Sequence, residues 1–444
     1  MRKLALIALL LLATTATAQR RRTVARPEPP DVPAQWLAQN AWPLTGTEPT
    51  AENQDLAPLR LLVGDATTVG LGDATHGTHE FMTVKLRLIQ YLVRELGFEA
   101  VGLEAPFATF NRLNEYVVHG TGKPRDLLAR AGRLGYSFWD TEEFLQVVEW
   151  LRAYNAGRGD RPPVEVFGFD SFEEAAAASN LIAYLTPLDS TAAQEATRIY
   201  GTCQAQHPVS SDCTTRMRRI HDQLAARRAD LVPRTSARAF DDALQNARIA
   251  GSVFDHNLGA ADTKHLRDRI MSINVRWAKN HRGTNRKVVL WGHQEHIGRS
   301  VVQLDGSIPM GQTLSEALGN DYVAIGTCSL NGSFEQYLWS QQQKAFTRVV
   351  HPFRPATDDS YETYFRTAGK PVLLIPMRGT LPEWLRGPRP LRVASTYPSA
   401  QGADWVVIEA LPEKLDATIY IEETTPLRRL DHTPASRTRP RSEW

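Results

Sequence analysis

The strongest constraint on the fold is a series of short apolar runs rich in Val, Ile and Leu: Val69–Gly72, Ala100–Leu103, Val164–Phe169, Lys287–Trp291, Tyr322–Thr327 and Val372–Pro376. A strand without regular polar alternation has to be covered on both faces, as the strands of a parallel sheet are. Helical patterns lie between these runs. Phe81, Val84, Leu88, Ile89, Leu92 and Val93 recur at helical spacing and stop at Gly97, and Phe144, Val147, Val148 and Leu151 repeat the pattern. The order predicts an α/β fold with a mainly parallel sheet, flanking helices and right-handed crossovers.

Residues 172–282 break the rhythm. They are rich in Ala, Arg and Gln with little strand character, which predicts a large helical insertion between the third and fourth core strands. An insertion between strands whose ends carry chemistry is well placed to form a lid or a substrate wall. The expected α/β core is then 51–171 plus 283–425, with Trp405–Glu409 and Ala417–Glu422 as its last strand-like segments. Residues 19–50 read as an Arg/Pro-rich linker arm and 426–444 as a disordered tail. No internal repeat is found. With 42% hydrophobic and 23% charged residues the chain has enough apolar surface for a core, which excludes a disordered or collagenous protein.

Residues 1–18 are set apart from the fold. Arg2 and Lys3 form a cationic head, Leu4–Leu12 an apolar run, and Ala16-Thr17-Ala18 a small-residue cleavage site, so they read as a signal peptide with Gln19 as the mature start. The run is well short of the roughly 20 residues needed to span a bilayer, and no later segment spans one. The expected location is periplasmic or secreted. Lys and Arg number 51 against 49 Asp and Glu, and Arg2 and Lys3 leave with the leader, so the mature chain is formally neutral. A nucleic-acid partner is not expected, and Arg20-Arg21-Arg22 reads as a solvated linker. In an oxidising compartment Cys203 and Cys213, separated by a polar loop, are expected to form a disulfide. Cys328, inside an apolar run, reads as a buried structural thiol.

In open parallel sheets ligands bind beyond the carboxyl ends of the strands. Here those ends are polar. The first strand runs into Gly72-Asp73-Ala74-Thr75-His76-Gly77-Thr78-His79-Glu80, the second ends at Glu104, the third at Asp170, and the fourth at His293-Gln294-Glu295-His296. A His held by a carboxylate can activate water near neutral pH, and His76 with Glu104 supplies that pair. His293 and His296 could polarise a carbonyl or steady an oxyanion, helped by a cation such as Lys85. The chemistry expected is hydrolysis. No GxSxG elbow, P-loop or GxGxxG is present, which disfavours a Ser-His-Asp hydrolase and nucleotide-using enzymes. The same His and Glu set could ligate a divalent metal, although HExxH is absent and the His293–His296 spacing suits a turn as well.

The text around these residues resembles the erythromycin esterase family. The matching segments are GDATHGTHEF at 72–81, LEA at 103–105, FWDTEEF at 138–144, LRAYN at 151–155, VFGFD at 166–170, RDRIM at 267–271, VVLWGHQEH at 288–296 and LPEKLDATIYIEET at 411–424. The resemblance covers about residues 50–425. It implies a hydrolase that opens ester bonds, in its best-known members the lactone ring of macrolide antibiotics, by water attack without a required metal or other cofactor. By position it implies His76 as general base, Glu104 as its carboxylate partner, and His293 and His296 as a second catalytic pair, with Glu80 in an acidic supporting position. Asp73 stands where the family usually has Glu, and Lys85 where it has Arg, so reach and bidentate contact differ.

Some residues keep two readings. Asp73 could simply cap the following helix. Asp170 could hold the sheet end or touch substrate, and Phe138 and Trp139 could pack or line an apolar ligand site. His79 reads as a first-turn surface residue. The leading expectation is an exported, metal-independent hydrolase of a small-molecule carboxylic ester or lactone. Its alternatives are a metal-assisted hydrolase and a catalytically weakened ligand-binding homologue.

Overall fold

A computed structural model describes residues 28–49, 53–133, 137–171, 173–203, 210–252, 260–281, 286–299, 307–340, 345–394 and 404–431. The leader and the Arg20–Arg22 cluster lie outside the described residues. The strands are β1 (Trp42–Pro43), β2 (Thr68–Asp73), β3 (Ala100–Pro106), β4 (Glu165–Asp170), β5 (Val288–His293), β6 (Tyr322–Ser340), β7 (Ala345–Pro352), β8 (Val372–Pro376), β9 (Arg389–Val393), β10 (Trp405–Glu409) and β11 (Ala417–Thr424).

Nine strands form one sheet, in the order β1-β8-β11-β6-β2-β5-β3-β4 with β7 attached to β6. From β11 to β4 every neighbour is parallel, and β2, β4 and β5 are buried along their whole length. The fold is therefore α/β with a mainly parallel sheet. β8 departs from the expected direction, because it pairs antiparallel with β11 and so does not require a crossover helix. β9 and β10 form a separate two-stranded sheet. One core cluster covers each face: Val69, Leu71, Val101, Leu103 and Trp291 face one side, and Val288, Leu290, Ala324 and Tyr420 the other.

The helix His79–Leu96 follows β2 and is buried along nearly its whole length, ending where Gly97 takes a left-handed turn (φ 71°). A Cβ is disfavoured in that conformation. Residues 174–280 form helices Glu174–Leu185, Ser190–Cys203, Ser211–Ala226, Arg228–Leu231, Ala237–Ser252 and Ala260–Asn280, most of which share a core of their own. Ala177, Ala196, Ala247 and Ala250 are among its buried side chains, small enough to let the helices approach closely. The expected disulfide is present: Cys203 and Cys213, 5.6 Å apart at Cα, join two of these helices. Cys328 is buried.

Two boundaries shift. From residue 28 the expected linker arm is folded, since helix Asp31–Asn40 buries Leu37 and Trp42 pairs with Leu374 of β8. The density of Pro and Arg there hid the apolar anchors. The described chain also continues past 426: Pro426 bridges Thr78, Arg429 bridges Thr141, and Leu427 and Leu430 enter the core. Among the described residues no helix is long and apolar enough to cross a membrane.

Candidate active site

The carboxyl ends of β2, β3, β4 and β5 converge. Asp73 is the last residue of β2 and not a helix cap, because the helix begins six residues later, at His79, with Thr78 in the capping position. His76 sits between two carboxylates. Its Nδ1 lies 2.9 Å from Asp73 Oδ1, off the hydrogen-bonding axis, and its Nε2 lies 3.5 Å from Glu104 Oε2. The ring stacks on Phe138 at 4.5 Å and 8°, with His293 edge-on at 5.3 Å. Burial by itself would lower the proton affinity of His76, but the charges of Asp73 and Glu104 outweigh it and lift the pKa to about 9.

The loop that carries His76 is seated on backbone. Glu335 of β6 donates its N–H to the Gly77 carbonyl at 2.9 Å, and Thr75 Oγ1 accepts the Gly77 N–H at 3.0 Å. A Cβ at Gly77 would lie 1.8 Å from the Glu335 carbonyl oxygen, so this close approach requires glycine.

Lys85 is buried, bonded to Asp73 Oδ2 and placed 5.0 Å over the Trp291 ring. Burial depresses its pKa and Asp73 partly restores it. Burial opposes ionisation of Asp73, yet Lys85 and then His76 hold that carboxyl below its ordinary range. Glu104 is held well below its ordinary range in the same way, with the neighbouring histidines and Arg267 outweighing burial. Its Oε2 accepts the His293 backbone N–H at 2.7 Å and its Oε1 accepts from Arg267 Nη2 at 2.8 Å.

Arg267 ties the strand ends together. It donates Nε and Nη2 to the two oxygens of Asp170, at 3.0 and 2.7 Å, and places Nη1 2.8 Å from His296 Nε2. Asp170 is thus an arginine clamp at the sheet end. His296 Nδ1 lies 2.9 and 3.0 Å from the oxygens of Asp268. Burial disfavours the imidazolium of His296, the carboxylates of Asp268 and Glu104 more than offset this, and Arg267 opposes them.

The sequence grouped His293 and His296 as one pair, and the structure separates their surroundings. His293 Nε2 faces the carbonyls of Ala74 (3.2 Å) and Ala394 (3.0 Å), while its Nδ1 accepts the Glu295 N–H at 3.3 Å. Both ring nitrogens are engaged by backbone, and burial followed by the charge of His76 lowers its pKa. Glu80 turns away from the others: both its oxygens hold Thr425, just after β11. His79 is 9% exposed, not a surface residue, and its nitrogens lie 2.6 Å from Glu143 and 2.6 Å from Glu48. Trp139 is fully buried against Phe144 and Trp291 and donates to the Glu104 carbonyl at 3.3 Å, so it supports the strand from within the core and does not line a ligand site.

The profile of the erythromycin esterase family matches residues 93–424. The chain belongs to the erythromycin esterase family. An Escherichia coli erythromycin esterase type II is 25% identical over 332 residues, 67% of this chain and 77% of the relative. A solved Bacillus cereus protein superposes with a TM-score of 0.78 at 26% identity, over 91% of this chain and 100% of that one. A solved erythromycin esterase variant in its open conformation shares the fold, with a TM-score of 0.61 and 21% identity over 84% of this chain and 95% of that one. Membership of the erythromycin esterase family makes the chain a hydrolase. The matched region starts at Val93 and does not reach His76.

Arg267 and Asp268, within the RDRIM segment, carry no role in the sequence pattern, because they come from a helix of the insertion and not from a strand end. Of the two readings open for Phe138, the structure shows packing, with its ring stacked on His76 itself.

Proposed function

We propose that this erythromycin esterase family protein hydrolyses a carboxylic ester or lactone by attack of a water that His76 deprotonates. The observation that carries the reading is a buried imidazole held between Asp73 and Glu104 beside the permanently charged Arg267. His76 Nε2 takes the water proton as the oxygen attacks the carbonyl carbon. Arg267, fixed by Asp170 and Glu104, steadies the oxyanion. The ester C–O bond then breaks, and the imidazolium returns the proton to the departing alkoxide, giving acid and alcohol. His293 holds Glu104 through its backbone N–H, as a positioning residue.

The reaction is read as metal-independent, because both nitrogens of His76 face carboxylates that hold protons there. Export is proposed from the leader at 1–18, and the Cys203–Cys213 disulfide supports an oxidising compartment. Macrolide lactones are the substrate class suggested by the E. coli relative's name.

The test is mass-spectrometric turnover of macrolides and simpler lactones by the purified protein, with His76→Ala and a chelator in parallel. A gain of one water that disappears in the variant and ignores the chelator is expected. Substantial turnover by His76→Ala would refute the assignment. One observation favours a second reading, a homologue that binds its ester and turns it over slowly: with a pKa of about 9, His76 is mostly imidazolium at neutral pH. Tight binding without product at alkaline pH as well would select it.

A further inference from the structure

Arg267 donates and cannot accept, because a guanidinium carries only N–H groups. Its Nη1 lies 2.8 Å from His296 Nε2, so that nitrogen has to present a lone pair. The remaining ring proton is then on Nδ1, where both oxygens of Asp268 wait at 2.9 and 3.0 Å. In the neutral ring the two ends demand the same tautomer, while Glu104 Oε1, 3.5 Å from Nε2, favours a second proton there as the pH falls. Asp268 is itself fixed: it is 2% exposed, and its Oδ1 also accepts the Met310 N–H at 2.7 Å, at the start of helix Met310–Leu318. A chain of directed bonds thus runs from Met310 through Asp268 and His296 to Arg267, and from there to Asp170 and Glu104.

We propose that Asp268 is a positioning residue that fixes His296 as its Nδ1–H tautomer, so that the Nε2 lone pair of His296 aims Arg267 at the reaction centre. The tautomer follows from contacts alone, whereas its purpose rests on Arg267 being the oxyanion cation of the proposed hydrolysis. His293 supplies an internal contrast. Three residues earlier in the same GHQEH segment, its Nε2 faces two carbonyls and its Nδ1 accepts an N–H, which is the opposite tautomer. A carboxylate or carbonyl bonded to one ring nitrogen sets which nitrogen of a histidine is available. While Arg267 is in place, His296 Nε2 is occupied and does not take a proton from substrate, so His296 acts through Arg267. Because Arg267 and Asp268 are neighbours on helix Ala260–Asn280, that one insertion helix grips His296 at both nitrogens.

The experiment is a 15N spectrum of the full chain labelled at histidine, with the His296 signals assigned by their loss in His296→Gln. At mildly alkaline pH the expected pattern is a pyrrole-type Nδ1 and a pyridine-type Nε2. In Asp268→Asn, which keeps an oxygen for the Met310 N–H, the titration of His296 moves to lower pH and kcat/KM falls about 10- to 100-fold. His296→Gln, whose amide oxygen can accept from Arg267, retains more activity than His296→Ala. A protonated Nε2 in the wild-type spectrum at alkaline pH, above the His296 titration, overturns the proposal, as does an Asp268→Asn variant with an unmoved His296 titration, and so does equal loss in His296→Gln and His296→Ala. If no ester is turned over, the hydrolase reading fails, and the spectrum still decides the tautomer.

Discussion

The pH dependence of turnover offers the sharpest check on His76 as a base. Its carboxylate neighbours raise its pKa to about 9, so the neutral form that can accept a proton is scarce at neutral pH. With a midpoint near 9, about 1% of the enzyme carries a neutral His76 at pH 7 and about 10% at pH 8. The logarithm of kcat/KM should therefore rise with a slope of about one through this range and level off only above the midpoint. Asp73→Asn removes one of the two charges responsible, which should move the limb acidward, toward the ordinary imidazole pKa of about 6.5. Each unit of movement corresponds to about 1.4 kcal/mol of lost preference for the imidazolium. The assay is initial-rate hydrolysis of a non-ionising ester in buffers of constant ionic strength, corrected for spontaneous hydrolysis, with circular dichroism confirming the fold at each pH. A rate that is flat or falls as pH rises would refute the base assignment and make the imidazolium the working form. An Asp73→Asn limb at the wild-type position would refute the electrostatic origin.

Two further outcomes follow from packing. Gly77→Ala places a Cβ 1.8 Å from the Glu335 carbonyl oxygen, a backbone atom of β6 that cannot rotate away. The overpacking should cost about 1–3 kcal/mol or more and displace the His76 loop, seen as a lower Tm together with a lower kcat; an unchanged Tm would deny that this contact is tight. Cys213→Ser opens a cross-link between positions 10 apart, which should destabilise by about 2–3 kcal/mol in the chain-entropy account. Thermal denaturation of the oxidised protein against the variant measures it, and identical midpoints would show that the insertion helices pack equally well unlinked.

The local pattern of the chain determined a good deal. Runs that are apolar on both faces have to lie inside a covered sheet, so β2 to β6 and their intervening helices were legible, as was the polar edge holding Asp73, His76, Glu104, Asp170 and His293. Periodicity reports which faces are buried, and strand order then places the ends together. The same signal carries no direction for a strand reached without a crossover, so β8 was read as parallel although it runs antiparallel. Nor does it report contacts across long separations. Arg267 meets Glu104 from 163 positions away, and Asp268 meets His296 from 28. Those contacts, the seat of Gly77 on Glu335 and the burial of His79 between Glu48 and Glu143 arise only when separate elements pack. The sequence alone determined the α/β frame, the disulfide and the inventory of ionisable groups at the sheet edge. Tertiary structure decided which of those groups share charge, because proton affinity and tautomer depend on distances of a few ångströms that local sequence does not encode.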